Sequence, residues 1–138
     1  KEIGPDPYLG TINIEEIAKK NNIPVEFNAT YVKEKYDLCI VATYHKLINL
    51  KRSNFYNGFN IHPSLLPDLK GRDPISEAIK KNYEYTGVTL HELTEKFDEG
   101  KIIFQQKIKI KTKSKKEILK IMIPVYKKFT REIINKLI

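Results

Sequence analysis

An open α/β sheet, mostly parallel, flanked by helices and with antiparallel strands near its C-terminal end, is the fold class this sequence predicts. Three observations carry that expectation. Residues 37–43 (Asp-Leu-Cys-Ile-Val-Ala-Thr) form a nearly continuous apolar run, as in a strand covered on both faces. Segments of strand period alternate with segments of helix period, the order that builds parallel sheets. The chain of 138 residues, 41% hydrophobic and 30% charged, is long enough for one domain with its own core and too rich in apolar and aromatic residues for a disordered tail.

The elements follow in order. Asn13 before Ile14, Glu15 and Glu16 is an N-cap with acids in the first turn, so a helix should run to about Asn21. Residues 24–27 read as a short strand and residues 37–43 as a buried one, with Cys39 a buried thiol. Residues 58–62 form another short strand, after which Pro63 and Pro67 impose a loop. Asp73-Pro74 pairs an N-cap with proline at the first helical position and starts a helix ending near Asn82. Residues 86–93 and 102–110 read as strands joined through a turn at Asp98-Glu99-Gly100. Ser114 to Glu117 is a capping box opening a last helix, with Ile118, Met122, Tyr126, Phe129, Ile133 and Leu137 toward the core and a kink at Pro124.

Composition excludes several classes. No apolar run reaches the roughly 18 residues of a membrane-spanning helix, and the start shows no secretory pattern, so the expected compartment is the cytoplasm and no membrane partner is expected. One cysteine permits no internal disulfide. The net charge of +8 is uneven: residues 101–138 hold twelve Lys/Arg against two acids, while residues 1–100 hold thirteen against fifteen. Lysines at 107, 109, 111 and 113 alternate with Ile and Thr, which reads as the solvated face of an edge strand, with polyanion attraction as the alternative. No nucleic-acid motif accompanies them. His45, His62, His91 and Cys39 lack metal-ligand spacing, and no Gly-rich phosphate loop or Gly-x-Ser-x-Gly elbow is present, so no metal is expected.

In open α/β sheets ligands bind beyond the carboxyl ends of strands, which here means residues 43–48 and 60–63. Asn60 and His62 stand two apart at a strand end, so both project from one face. An amide can hydrogen-bond an oxygen that gains negative charge, and an imidazole can move a proton near neutral pH, which suits acyl chemistry. Asp98, in a turn closed by Gly100, is the best acid to complete the set.

The segment Asn60-Ile61-His62-Pro63-Ser64-Leu65-Leu66-Pro67, with Lys70-Gly71-Arg72-Asp73-Pro74, Thr86-Gly87-Val88-Thr89-Leu90-His91 and Asp98-Glu99-Gly100 downstream, resembles the folate-dependent formyltransferase family over roughly residues 12–110. The resemblance implies a Rossmann-like sheet and transfer of a formyl group from 10-formyltetrahydrofolate, as co-substrate, to a primary amine. It implies Asn60, His62 and Asp98 as the catalytic triad. Asn60 and a protonated His62 would stabilise the oxyanion while Asp98 positions the imidazole. Tyr44, His45, Lys46, Leu47 and Ile48 look like the folate-binding segment, with Thr94 and Phe97 on the opposite side. The family's usual first strand-helix unit would be missing, so residues 1–138 are expected to be a single catalytic domain truncated at its N-terminus. The Gly71-Arg72-Asp73-Pro74 and Thr89-Leu90-His91 strings look most like the enzymes that formylate nucleotide-linked amino sugars. Methionyl-tRNA, glycinamide ribonucleotide and a noncatalytic basic module remain as alternatives, and a homodimer is left open.

Overall fold

The structure, a computed structural model, describes residues 14–27, 30–44 and 46–137. The cap residue Asn13 and the expected ligand-binding residue His45 lie outside them. Helix α1 (Ile14–Lys20) is followed by strand β1 (Tyr36–Ala42), a 3-10 turn (Leu50–Arg52) and strand β2 (Phe55–His62). Helix α2 (Pro74–Lys80), strands β3 (Tyr85–Glu92) and β4 (Ile102–Lys109) and helix α3 (Lys115–Leu137) complete the order.

The four strands form one sheet in the order β1-β2-β3-β4. β1 and β2 are parallel, whereas β2-β3 and β3-β4 are antiparallel. The α/β class holds, and the antiparallel addition expected near the C-terminal end makes up half of this mixed sheet.

Caps and periodicity explain the helices. Asp73 accepts the Ser76 N–H at 3.3 Å and Pro74 fills the first helical position, where a missing N–H costs nothing. Ser114 accepts the Glu117 N–H at 3.4 Å at the start of α3, and the helix continues through Pro124. Ile118, Leu119, Met122, Val125, Phe129 and Ile133 are buried along α3. They pack with Ile75 of α2, Phe59 and Ile61 of β2, Val88 and Leu90 of β3 and Ile108 of β4. Tyr126 is only partly buried and Leu137 is exposed, so the apolar stripe ends one turn earlier than its spacing suggests. Lys115 at the start of α3 reaches the Asp73 cap at 2.8 Å and ties the two helix starts together.

Two expectations fail at the N-terminal side. Residues 24–27 are not a strand: Val25 and Phe27 are exposed, and no described strand lies beyond β1 to pair with them. Proline at 24 also removes a ladder donor. Strand β1 forms as expected but is not covered on both faces, since Leu38 to Val41 are half-buried and Tyr36 and Ala42 exposed, and it is the outer strand of those described. Cys39 is accordingly half-buried, with its thiol pKa raised by burial. At the other margin, Lys107 lies over the Tyr85 ring at 3.9 Å and Lys109 pairs with Glu84 at 3.5 Å, so the lysines of β4 lie along the flank of the sheet.

Candidate active site

Register creates the site. Phe59 and Ile61 of β2, like Val88 and Leu90 of β3, point into the core, so Asn60, His62, Thr89 and His91 share the opposite face. Asn60 stands directly across from His91 and His62 across from Thr89. The β3-β4 connection then folds back over this face. Gly100 passes so close to β3 that a Cβ there would overlap the Glu92 carbonyl and meet His91 Nδ1 at 3.1 Å, so only glycine fits. Asp98, at φ 55°, is delivered between the two strands.

The Asp98 carboxylate gathers the cluster. Its Oδ1 accepts from Asn60 Nδ2 at 3.2 Å and lies 3.3 Å from His62 Nδ1 and 3.5 Å from His91 Nε2. Its Oδ2 accepts the Gly71 N–H at 2.9 Å. The structure therefore brings Asn60, His62 and Asp98 together, and adds His91 and the Gly71 backbone. Spacing did not single out His91 for this cluster. The available signal was alternation, because Thr89 and His91 share a strand face just as Asn60 and His62 do.

Burial and hydrogen bonds set the charges in different directions. Burial pushes the His62 pKa below its ordinary value, against the Leu69 carbonyl and Asp98, which favour the proton, and with His91, which opposes it. A pKa held below the ordinary value favours the neutral ring at neutral pH before the reaction begins. His62 Nε2 donates to the Leu69 carbonyl at 2.9 Å. Burial would raise Asp98, but the His91 ring, the Gly71 N–H and His62 hold it below the usual carboxylate range, so it is ionised.

The loop after β2 is held by its own network. Thr89 donates to the Ser64 carbonyl at 2.6 Å and accepts the Leu66 N–H at 3.1 Å. Gln105 donates to the Leu66 carbonyl at 2.7 Å and to Thr89 Oγ1 at 3.0 Å. Ser64 donates to the Asp68 carbonyl at 2.9 Å, so it is a loop-forming residue. A cleft of about 320 Å³ opens beside Asp98, walled by Leu66, Pro67, Lys70, Glu99, Gly100 and Ile102.

The remaining expected site residues flank this centre. Because β1 is parallel to β2, Thr43 and Tyr44 leave the sheet at the same end as His62. Tyr44 and Leu47 are exposed, Lys46 is exposed and Ile48 half-buried. Phe97 is exposed, and Thr94 turns its hydroxyl onto the Lys96 carbonyl at 2.8 Å. Lys51 and Glu95 pair at 3.5 Å, linking the turn that follows residues 43–48 to the segment containing Thr94 and Phe97. Exposed Tyr44 and Leu47 on one loop and Phe97 on another thus lie at the carboxyl end of β1 and β2.

An amide, an imidazole and an ionised carboxylate converging beyond a strand end define an α/β protein with a site suited to group transfer onto a nucleophile. A family model described as formyl transferase matches residues 5–124, and the chain belongs to that family. The methionyl-tRNA formyltransferase of Pseudothermotoga lettingae is 38% identical over 102 residues, covering 70% of this chain and 34% of that protein. Its counterpart from Thermosipho africanus is 34% identical over 119 residues, covering 80% and 37%. The chain thus spans about a third of the length of these curated relatives. Among solved structures, WlaRD, a sugar 3N-formyl transferase crystallised in the presence of dTDP and 5-N-formyl-THF, superposes with TM-score 0.72 at 27% identity over 91% of this chain and 47% of that one. Phosphoribosylglycinamide formyltransferase from Bacillus halodurans superposes with TM-score 0.53 at 29% identity, covering 81% and 52%.

Proposed function

We propose that this chain carries the catalytic centre of an N-formyltransferase that moves a formyl group from 10-formyltetrahydrofolate to a primary amine. The convergence of Asn60, His62 and Asp98, with both His62 and Asp98 side chains almost wholly buried, is the observation that carries the reading. Membership of the formyl transferase family supports it. The reduced folate would lie against Tyr44, His45, Lys46, Leu47 and Ile48 on one side and Thr94 and Phe97 on the other.

The chemistry follows from the charges. The acceptor amine attacks the formyl carbon, forming one C–N bond, and the bond to the folate nitrogen breaks. One proton travels from the amine to that nitrogen. An Asn60 N–H stabilises the negative charge that develops on the formyl oxygen. Neutral His62 is suited to take the proton in transit, because ionised Asp98 beside Nδ1 stabilises the imidazolium while it lasts. The amine would approach Asp98 through the cleft bounded by Leu66, Pro67, Lys70 and Ile102.

For the acceptor, a nucleotide-linked amino sugar is the reading favoured by the TM-score of 0.72 to a sugar N-formyl transferase. Methionyl-tRNA is the second reading, favoured by the 38% identity to a methionyl-tRNA formyltransferase. The full-length native protein, supplied with 10-formyltetrahydrofolate and in turn a dTDP-linked amino sugar, methionyl-tRNA and glycinamide ribonucleotide, decides among them. Transfer to the sugar is expected, and Asn60→Ala should lower turnover roughly a hundred- to a thousandfold with folate affinity nearly unchanged. Transfer to none of the three amines would overturn the reading.

A further inference from the structure

His91 is the one buried side chain of the cluster that has no role in the chemistry above. It is 2% exposed and touches both Asn60 and Asp98. Its protons can be placed by elimination. The Glu92 carbonyl, 2.8 Å from Nδ1, can only accept, so Nδ1 carries a hydrogen. The Asp98 carboxylate, 3.2 Å from Asn60 Nδ2, can only accept, so the amide must turn its amino end toward it. That same Nδ2 lies 3.1 Å from His91 Nε2, which must therefore be an unprotonated acceptor.

Asn60 Nδ2, Asp98 Oδ1 and His91 Nε2 stand 3.1, 3.2 and 3.5 Å apart, nearly an equilateral triangle. The two acceptors lie close enough together for a single N–H to serve both, which frees the second N–H for the formyl oxygen. Reversing the amide would set its carbonyl oxygen against the lone pair of Nε2 and against the carboxylate, three acceptors with no hydrogen among them.

We propose that His91 is a positioning residue that locks the amide of Asn60, through its unprotonated Nε2, so that an N–H rather than the carbonyl faces the formyl oxygen. This rests on the formyl-transfer reading and assigns to it a residue outside the triad. Asp98 alone would hold the amide only while fully ionised. During turnover a proton passes beside that carboxylate and weakens its hold, whereas the contact of Asn60 with His91 Nε2 does not depend on that charge. The cross-strand pairing of Asn60 with His91 fixes the spacing.

The test is a double-mutant cycle in the full-length native protein. His91→Leu, which cannot accept a hydrogen bond, should lower kcat about ten- to a hundredfold, part of the loss expected for a missing oxyanion donor, and leave KM for the folate within about twofold. His91→Gln, whose amide oxygen can accept from Asn60, should recover most of that loss. On an Asn60→Ala background His91→Leu should cost less than about threefold, because there is no amide left to orient. Equal fold losses on both backgrounds, or an unchanged kcat in a well-folded His91→Leu variant, would overturn the role. A second readout needs no activity. In protein labelled with ¹⁵N, a scalar coupling across the hydrogen bond should join Asn60 Nδ2 to His91 Nε2. Its absence overturns the proposal even in an active enzyme, and its presence in a protein that transfers no formyl group would upset the functional reading while leaving the locked amide standing.

Discussion

Replacing Asp98 with asparagine would test whether one carboxylate holds the site together, and its cost can be worked from the contacts. The backbone is a fair host, since Asp98 sits at φ 55° and asparagine tolerates that region as well as aspartate. The hydrogen bonds are not. Both carboxylate oxygens accept: Oδ2 from Gly71 N–H at 2.9 Å, Oδ1 from Asn60 Nδ2 at 3.2 Å. An asparagine side chain has one accepting oxygen and one amino group that can only donate. With its carbonyl toward Gly71, its amino group meets the amino group of Asn60; turned around, it meets the Gly71 N–H. Either way a buried donor is set against another donor, which costs about 1–3 kcal/mol. Urea denaturation should therefore show a loss of about 2 kcal/mol.

The same variant should also move His62. Asp98 is one of the groups that favour its protonation, while burial, the largest influence, remains. The ring should titrate still further below its ordinary range when followed by NMR. Turnover should drop because the imidazolium loses its counter-charge. A stability change below about 0.5 kcal/mol together with an unmoved His62 titration would refute the claim that this carboxylate organises the cluster.

Gly100→Ala should destabilise by about 1–3 kcal/mol, since the new methyl would overlap the Glu92 carbonyl, and should lower turnover by displacing Asp98; thermal melts and kinetics check both. His62 has a folded pKa below its ordinary value of 6.5, so the unfolded chain takes up the proton first on acidification. Its contribution is therefore intact above pH 6.5 and is lost as pH falls from there through the folded value. Denaturant midpoints measured against pH should show that slope, and His62→Gln should flatten it. Lys115→Gln should cost about 0.2–1 kcal/mol by breaking the bridge to Asp73, whereas Lys111→Gln with Lys113→Gln should leave the melting temperature unchanged.

What could be read from the chain was whatever local pattern determines. The Asp73-Pro74 start of α2 and the Ser114 start of α3 are signalled by residues that touch each other within one turn, so they appear where expected. The strands 85–92 and 102–109 match their patterns within a residue or so. Coverage is not local. The apolar run of β1 is the same string whether or not anything packs on it, and its half-buried state depends on elements elsewhere in the chain. Residues 24–27 have the composition of a strand, but pairing needs a neighbour. Site chemistry divides in the same way. That Asn60, His62 and Asp98 would come together was legible through their wording. The protonation state of His62 was not, because it depends on burial by a loop held through Ser64, Thr89 and Gln105.

The core and the site are two faces of one register. Along β2 the order Phe59, Asn60, Ile61, His62 sends alternate residues to opposite faces, and along β3 Val88, Thr89, Leu90, His91 does the same. A slip of β3 by one residue against β2 would put Thr89 and His91 in the core and Val88 and Leu90 in the site. Burial of Phe59, Ile61, Val88 and Leu90 beneath α3 therefore does more than stabilise the fold, because it forbids that slip and so keeps Asn60 opposite His91. Substitutions that loosen α3 against the sheet, at Met122 or Phe129 for instance, should then disturb the Asn60–His91 geometry of the candidate site without touching any residue in it.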